Sequence, residues 1–589
     1  MTALGAEAAA AGMVNGPEDL DWDAVDWRRA EDEVRRLRQR IFKASQAGDL
    51  KKVRNLQKLM LGSRANALVG VRQVTERNTG RKTAGIDGQV ALSGPRRAQL
   101  AMELQRQPPS RALPVKRVYI PKKGGKQRPL GIPVIADRVQ QARVRNALEP
   151  EWEARFEPRS YGFRPGRSCH DAIVAIHQTL KGPGCQRVWV LDADLSSAFD
   201  RIGHDRLLDQ IGLFPARGQI RKWLKAGVVD KGRYSSTEEG TPQGGVISPL
   251  LLNIALHGME EAAGVRYRKH NPAAVTPNSP VIIRYADDYV ALCRSRRQAE
   301  EIRIRLQSWL ADRGLSFNED KTQIVHASDG FDFLSFNVRR YRTRQGGKLL
   351  IKPSKEAITK NRQRLSEEMR ALRGAGPAEI IWRLNPIIRG WAAYHRPVVA
   401  SEAFSKLDDH MWQLLYQWAR RRHPTKPWHW VAARYFGKFN KLRQDRWVFG
   451  DRDSGVYLHK FAWTKIVRHV PVHGTASLDD PALARYWADR RRKRQPPPLA
   501  PSTMRLIRVQ GGRCRLCGEY LLHADGEPQS PSQWEQWFKV IRKAMVRHLI
   551  IADTAGQPDQ YRLVHAYCHE RHPVGSGAST AANCNASTP

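Results

Sequence analysis

The stretch Val281-Ile-Ile-Arg-Tyr-Ala-Asp-Asp-Tyr-Val-Ala-Leu292 constrains the fold more than any other part of the chain. Two apolar runs flank Asp287 and Asp288, which predicts a hairpin with paired acids at its tip. A turn with only a structural role is better served by Asn-Gly or Asp-Gly. Adjacent carboxylates in an apolar setting repel one another, and a charge there is costly without a counter-ion. A divalent cation resolves the conflict, and two-metal catalysis of an in-line displacement requires such ligands. A third carboxylate is expected from another strand. Val188-Trp-Val-Leu-Asp-Ala-Asp-Leu-Ser-Ser-Ala-Phe-Asp200 is a β-type run ending in acids, and Asp192, Asp194 and Asp200 compete for the role. Strand alternation puts Asp192 and Asp194 on one face, so periodicity does not choose between them.

The charge balance points to the partner. Among 589 residues, Lys and Arg number 99 against 58 Asp and Glu, a formal net charge of +41. A compact chain tolerates such self-repulsion poorly unless a polyanion neutralises it, and nucleic acid is the usual one. The length predicts three or four domains, and 41% hydrophobic residues suffice for buried cores. Seven cysteines in so long a chain do not make a disulfide framework. The N-terminus lacks the basic and apolar regions of a secretory leader, and no apolar run approaches the about 20 residues of a membrane span. A cytoplasmic protein with no membrane partner is expected.

Along the chain, the first thirty or so residues are Ala/Gly-rich and then acidic, which predicts flexibility. From Trp27 to about Val69 the pattern is helical, with Val34, Leu37, Ile41 and Phe42 on one side. Gly80 to Gly88 is a breaker-rich loop. Between about 110 and 340, strand candidates at Arg117–Ile120, Val188–Leu195, Val281–Tyr285, Tyr289–Leu292 and Phe331–Val338 alternate with helical stretches, an α+β pattern. From about 355 to 435 the pattern is helical and rich in Trp and Arg. The basic, proline-rich run at 490–498 reads as a linker, and the last dozen or so residues read as a disordered tail.

Several blocks occur in a telling order: Lys116-Arg-Val-Tyr-Ile-Pro-Lys-Lys123, Arg128-Pro-Leu-Gly-Ile-Pro133, Arg159-Ser-Tyr-Gly-Phe-Arg-Pro-Gly-Arg-Ser168, Gly240-Thr-Pro-Gln-Gly-Gly-Val-Ile-Ser-Pro249, the Tyr285-Ala-Asp-Asp288 tetrad, Gly314-Leu-Ser-Phe-Asn-Glu-Asp-Lys-Thr322 and Phe331-Asp-Phe-Leu-Ser-Phe336. Together they resemble the reverse transcriptases encoded by bacterial group II introns. The resemblance implies a right-hand polymerase of α+β fingers and palm over residues 70–340, after a flexible N-terminus and helical extension over 1–69. It implies Asp194, Asp287 and Asp288 as ligands of two Mg²⁺ ions for nucleotidyl transfer. Lys122, Arg128, Gln243 and Lys321 are implied near the incoming nucleotide. Phe199, five residues after Asp194, is implied under the sugar, where its ring would collide with a ribose 2′-hydroxyl and select dNTPs. Asp192 and Asp200 are expected to be structural. Ser335 departs from the family's usual Gly.

Leu384-Asn-Pro-Ile-Ile-Arg-Gly-Trp-Ala-Ala-Tyr-His395 resembles the thumb, or maturase-specific domain, of the same proteins, over residues 355–436. Eleven of the 17 tryptophans lie beyond residue 380. Trp391 and Tyr394 are expected to pack, and Arg389, Arg396, Arg420, Arg421 and Arg422 to contact intron RNA. Residues 437–498 are expected to form a basic DNA-binding region and linker. Over residues 499–572, Cys514 and Cys517 with His565, Cys568 and His569 make a candidate Zn²⁺ site that resembles an HNH nuclease module. Neither Ala524-Asp525-Gly526 nor Arg547-His548 matches that nuclease's general-base pair, so a structural zinc module gripping nucleic acid is expected beside the nuclease reading. The tail over 573–589 is expected to be disordered. The implied activity is RNA-directed DNA synthesis on an RNA template with a DNA primer, together with intron splicing and insertion into target DNA. The rival readings are a splicing-only maturase and a stand-alone reverse transcriptase of defence or repair.

Overall fold

The computed structural model describes residues 20–106, 111–121, 127–268, 271–343, 346–440, 442–493, 499, 501–516, 521, 528–550, 560–565 and 568–569. The chain divides into two units, Met1–Arg155 with Ser197–Ala255, and Phe156–Ser196 with Leu256–Pro589. Each is a mixture of helices and sheet. Among the described residues no helix is long and apolar enough to cross a membrane.

In the first unit, the helical pattern expected as one stretch from Trp27 to about Val69 is three helices: Trp27–Gln46, Leu50–Gly62 and Arg64–Arg72. The breaks have local causes. Gly48 turns the chain at a left-handed φ of 71°, and the Asp49 and Ser63 side chains cap the next helices by accepting from the N–H groups of Lys52 and Asn66. Of the expected apolar side, Val34, Ile41 and Phe42 are buried and Leu37 is half-buried. The expected flexibility before Trp27 does not extend to Leu20–Asp26. Trp22 is only 2% exposed, lies edge-on to Trp27 at 4.7 Å, and donates its indole N–H to Glu76 at 2.8 Å. The unit's four-stranded sheet runs in the order Gln127–Ile132, Val115–Pro121, Val228–Asp230, Arg233–Ser235.

The second unit holds a four-stranded antiparallel sheet in the order Gln323–His326, Trp189–Ala193, Asp288–Cys293, Val281–Tyr285. The helix Cys169–Leu180 packs on the last strand, and the helix Arg296–Ala311 packs on the two central strands. The central strands are apolar without alternation because both faces are covered: Val190, Leu191, Val290, Ala291 and Leu292 are all fully buried.

The strand expected over Phe331–Val338 is a hairpin instead, Phe331–Phe333 against Phe336–Thr343, with Phe333 paired to Phe336. Leu334 and Ser335 form its two-residue turn, both left-handed at φ 49° and 69°. That conformation favours glycine, which accounts for the family's Gly at the position of Ser335. Helices Lys355–Ala371, Pro377–His395, Ser401–Arg422 and Trp428–Tyr435 follow. Trp391 and Tyr394 are buried in the core they share with the sheet.

Beneath the sheet lies a buried ionic group. Glu157 accepts from the Gly258 N–H at 2.6 Å and lies 3.1 Å from His257 and 3.9 Å from Arg284. Burial alone raises this carboxyl, but His257, Arg284 and the Gly258 N–H outweigh it and hold it down at about 2, from an ordinary 4.5. A native pKa below the unfolded one stabilises the fold fully above about pH 4.5, and the contribution fades as pH falls toward 2. We expect Glu157→Gln to cost of order 3 kcal/mol at neutral pH. Thermal melts at pH 7 and pH 3 should show the gap to wild type narrowing in acid; a constant gap would exclude the ionised carboxylate as its source.

Candidate active site

The hairpin Val281–Tyr285 and Asp288–Cys293 closes with Tyr285 paired to Asp288, leaving Ala286 and Asp287 as the two-residue loop. Ala286 sits at φ 59°, a strained conformation for a residue with a Cβ. Neighbours impose it. Arg284, only 2% exposed, donates to the Ala286 carbonyl at 3.3 Å while facing Glu157. The Arg159–Ser168 block runs alongside: Arg284 N–H donates to Arg159 O at 3.0 Å, and Tyr161 N–H donates to Arg284 O at 2.9 Å. Gly162 then passes so near the turn that a Cβ there would lie 2.2 Å from the Ala286 nitrogen. Glu157, Gly162 and Arg284 thus hold the turn in place, and the sequence reading did not single them out. The available signal was a single arginine inside an apolar strand.

Trp189–Ala193 pairs antiparallel with Asp288–Cys293, Ala193 opposite Tyr289. Continued by one residue, this register sets Asp194 opposite Asp288. The two carboxyls share a hydrogen bond, and Lys321 forms an ion pair with Asp194. Burial first, then the charges of Asp287 and Asp194, push the Asp288 carboxyl up to about 8. Asp194, Asp288 and Asp287 together hold the Lys321 ammonium above its usual range, with the Asp194 hydrogen bond the largest influence. Asn318 fixes the segment by donating its backbone N–H to Asp194 O at 2.8 Å. The structure therefore brings Asp194, Asp287, Asp288 and Lys321 together. Asp192 is turned to other partners: it accepts from Gln323 at 3.3 Å, and burial raises its carboxyl to about 6. Three carboxylates with hard oxygen donors, one of them pushed up by burial and its acidic neighbours, are a donor set that fits Mg²⁺.

The first unit brings another set together. Arg128 donates through Nε to Gln243 Oε1 at 2.8 Å, and Gln243 Nε2 donates to Asp200 at 3.2 Å. The Gln243 carbonyl also accepts from Gly131 N–H at 2.6 Å, which ties the Pro-Gln-Gly-Gly turn to the strand of Arg128. Burial raises the Asp200 carboxyl against the pull of Arg117 and Arg128. Phe199 is buried in the short helix Ala198–Arg201. Lys122 lies outside the described residues.

Toward the C-terminus, Cys514, His565 and Cys568 are all buried, and their ligand atoms lie within 4.8 Å of one another. Gln510 brings the segments together. Its side chain accepts from Leu563 N–H at 2.7 Å and donates to Leu563 O at 2.8 Å and Arg513 O at 3.0 Å. Cys517, Asp525 and the tail over 573–589 lie outside the described residues. Arg420, Arg421 and Arg422 are exposed at the end of Ser401–Arg422, whereas Arg389 and Arg396 are half-buried.

Three family models match the chain: the N-terminal domain of reverse transcriptase over residues 22–104, reverse transcriptase (RNA-dependent DNA polymerase) over 120–338, and the group II intron maturase-specific domain over 358–436. Protein YkfC of Escherichia coli is 38% identical over 312 residues, which cover 46% of this chain and 80% of that protein. The chain belongs to the group II intron reverse transcriptase and maturase family. Another similar protein, the group II intron-encoded protein LtrA of Lactococcus lactis, is 31% identical over 284 residues, 38% of this chain and 47% of that one. An uncharacterized 91 kDa protein in the cob intron of Schizosaccharomyces pombe is 28% identical over 358 residues, 48% and 43% of the two chains. The match thus spans four-fifths of YkfC but about half of LtrA.

The raised Asp288 carboxyl gives a metal role for this cluster a measurable consequence. Magnesium takes carboxylates in the ionised form, so were Asp288 to hold Mg²⁺, binding at pH 7 would expel its proton and tighten as pH rises. A weakly buffered pH-indicator titration with Mg²⁺ should register close to one proton released per chain in wild type and none in Asp288→Asn. Equal release by both proteins would show that Asp288 is not the group being titrated.

Proposed function

We propose that this protein is the RNA-directed DNA polymerase of a group II intron, which also binds the intron RNA to promote splicing and supports mobility by target-primed reverse transcription. The observation that carries the polymerase reading is the strand register that sets Asp194 opposite Asp288, with Asp287 and Lys321 beside them. Asp194, Asp287 and Asp288 would hold two Mg²⁺ ions, which supply activation of the primer 3′-hydroxyl and neutralisation of the triphosphate in an in-line displacement. Lys321 balances the acid cluster and keeps the carboxylates from driving one another apart. Arg128, oriented by Gln243 and Asp200, presents a fixed cation for phosphate, and Lys122 has the same role by resemblance. The ring of Phe199 excludes a 2′-hydroxyl and so selects dNTPs.

RNA binding is supported by the net charge of +41 and by the exposed Arg420, Arg421 and Arg422. On the same helix, Trp412 is 40% exposed and stacks on Tyr416 with ring centroids 5.3 Å apart, a platform suited to unpaired bases. Cys514, His565 and Cys568, with Cys517 as fourth ligand, would hold a structural Zn²⁺ ion, since two thiolates and an imidazole at this separation are soft donors. Nuclease action of this module rests on resemblance alone.

Primer extension on poly(rA)/oligo(dT) tests the central claim. Wild type should extend, whereas Asp287→Ala should lose at least a thousandfold in rate while binding structured RNA within about twofold of wild type. Extension by that variant at the normal rate would refute the metal assignment, and a wild type that binds RNA without extending would leave the splicing-only reading. For the zinc module, elemental analysis of purified wild type should find one zinc per chain, and Cys568→Ser should lose it. Zinc-free wild type with intact folding would reduce the cluster to buried thiols.

A further inference from the structure

The C-terminal region contains the helix Pro531–Ala544, whose apolar residues no catalytic or zinc role absorbs. It packs on Pro377–His395, with Trp534 and Phe538 buried in the same core that Tyr285 borders. The fit depends on a glycine: a Cβ on Gly390 would lie 2.8 Å from the Glu535 nitrogen and 3.0 Å from Pro531 O. Glu535, 5% exposed, is paired to Arg364 at 2.6 Å and to Lys539 at 2.7 Å. This helix is docked by shape, apolar burial and charge together.

The turn before the helix aims one side chain. Ser530 Oγ accepts from Gln533 N–H at 3.2 Å, and the Gln533 side chain accepts from Gln529 N–H at 2.6 Å. Gln529 Oε1 then accepts twice, from the Cys169 N–H at 2.6 Å and from the Tyr285 hydroxyl at 3.2 Å. The Cys169 N–H is one of the first-turn donors of the helix Cys169–Leu180 that lack an intrahelical acceptor, so it must face an oxygen. Tyr285 is the last residue before the left-handed Ala286, and it is the strand partner of Asp288.

We propose that Gln529 is a positioning residue for polymerisation: from the C-terminal region it holds the Tyr285 side of the Asp287–Asp288 hairpin against the helix Cys169–Leu180. It touches no reacting atom. It limits the small rotations of Tyr285 that would move Asp288 away from Asp194. The C-terminal region is then part of the working polymerase and not an appended module. This rests on the polymerase reading above.

The test uses the full-length protein in single-nucleotide extension, with kcat and KM for dTTP measured separately. Gln529→Met keeps the side-chain volume and removes the acceptor. We expect its kcat to fall about fivefold, the size of losing the one hydrogen bond that reaches Tyr285, with KM within about twofold. Gln529→Glu keeps an oxygen acceptor for both donors and should stay within about twofold of wild type in kcat. Tyr285→Phe should lower kcat similarly to Gln529→Met, and the double variant should lose less than the product of the two single losses. Wild-type kcat in Gln529→Met, or losses that multiply fully in the double variant, would overturn the inference while the polymerase reading stands. A wild type that does not extend at all would overturn both.

Discussion

Asp194 and Asp288 face each other across adjacent antiparallel strands, near enough to share a hydrogen bond, with Asp287 adding its charge from the turn. Left to themselves, three acids would separate into water. The sheet forbids that, because moving either strand breaks the ladder that joins Trp189–Ala193 to Asp288–Cys293 and exposes the buried Val190, Leu191, Val290, Ala291 and Leu292. Lys321 offsets part of the repulsion, and burial with the neighbouring charges pushes the Asp288 carboxyl up, toward its neutral form. The remainder is the physical basis of the proposed affinity for a small hard cation. The site is thus a repulsion held in place by the packing of the second unit.

Holding it takes supports on more than one side of the hairpin. Arg284 is anchored under the strand by Glu157 and reaches forward to the Ala286 carbonyl, which keeps a residue with a Cβ in a left-handed turn. Gly162 closes against the same turn, and Gln529 meets it at Tyr285. None of these groups is an acid of the site, yet each constrains where the acids lie. Their common feature is close contact: buried charge pairs and backbone contacts permit less movement than a solvated side chain would.

Some of this could be read from the residues alone, and the reasons are specific. The hairpin was readable because two apolar runs bracket a polar pair, and the helices after residue 355 because their period persists for whole turns. The choice among Asp192, Asp194 and Asp200 was not readable from alternation. Register separates the first two, Asp194 meeting Asp288 and Asp192 meeting Gln323, whereas Asp200 lies in the short helix Ala198–Arg201 and meets Gln243. The misreading of Phe331–Val338 as one strand has a similar cause. Leu334 and Ser335 carry none of the Gly or Asn signals of a two-residue turn, and their left-handed backbone is imposed by the pairing of Phe333 with Phe336. Trp22 was hidden in an acidic segment that looked solvated, although its indole finds a partner at Glu76, 54 positions away.

The sequence by itself determined the chemistry: which residues carry charge, which runs are apolar, and that the Asp pair must sit at a strand tip. Those properties reside in single residues and in short periodic patterns, and no partner is needed to express them. Only the tertiary structure decided which acid joins the pair, how Cys514 comes beside His565 and Cys568, and that Gln529 reaches Cys169 across 360 positions of chain. Such contacts depend on how helices and strands distant in sequence fill space against one another, and packing of that kind leaves no local period to read.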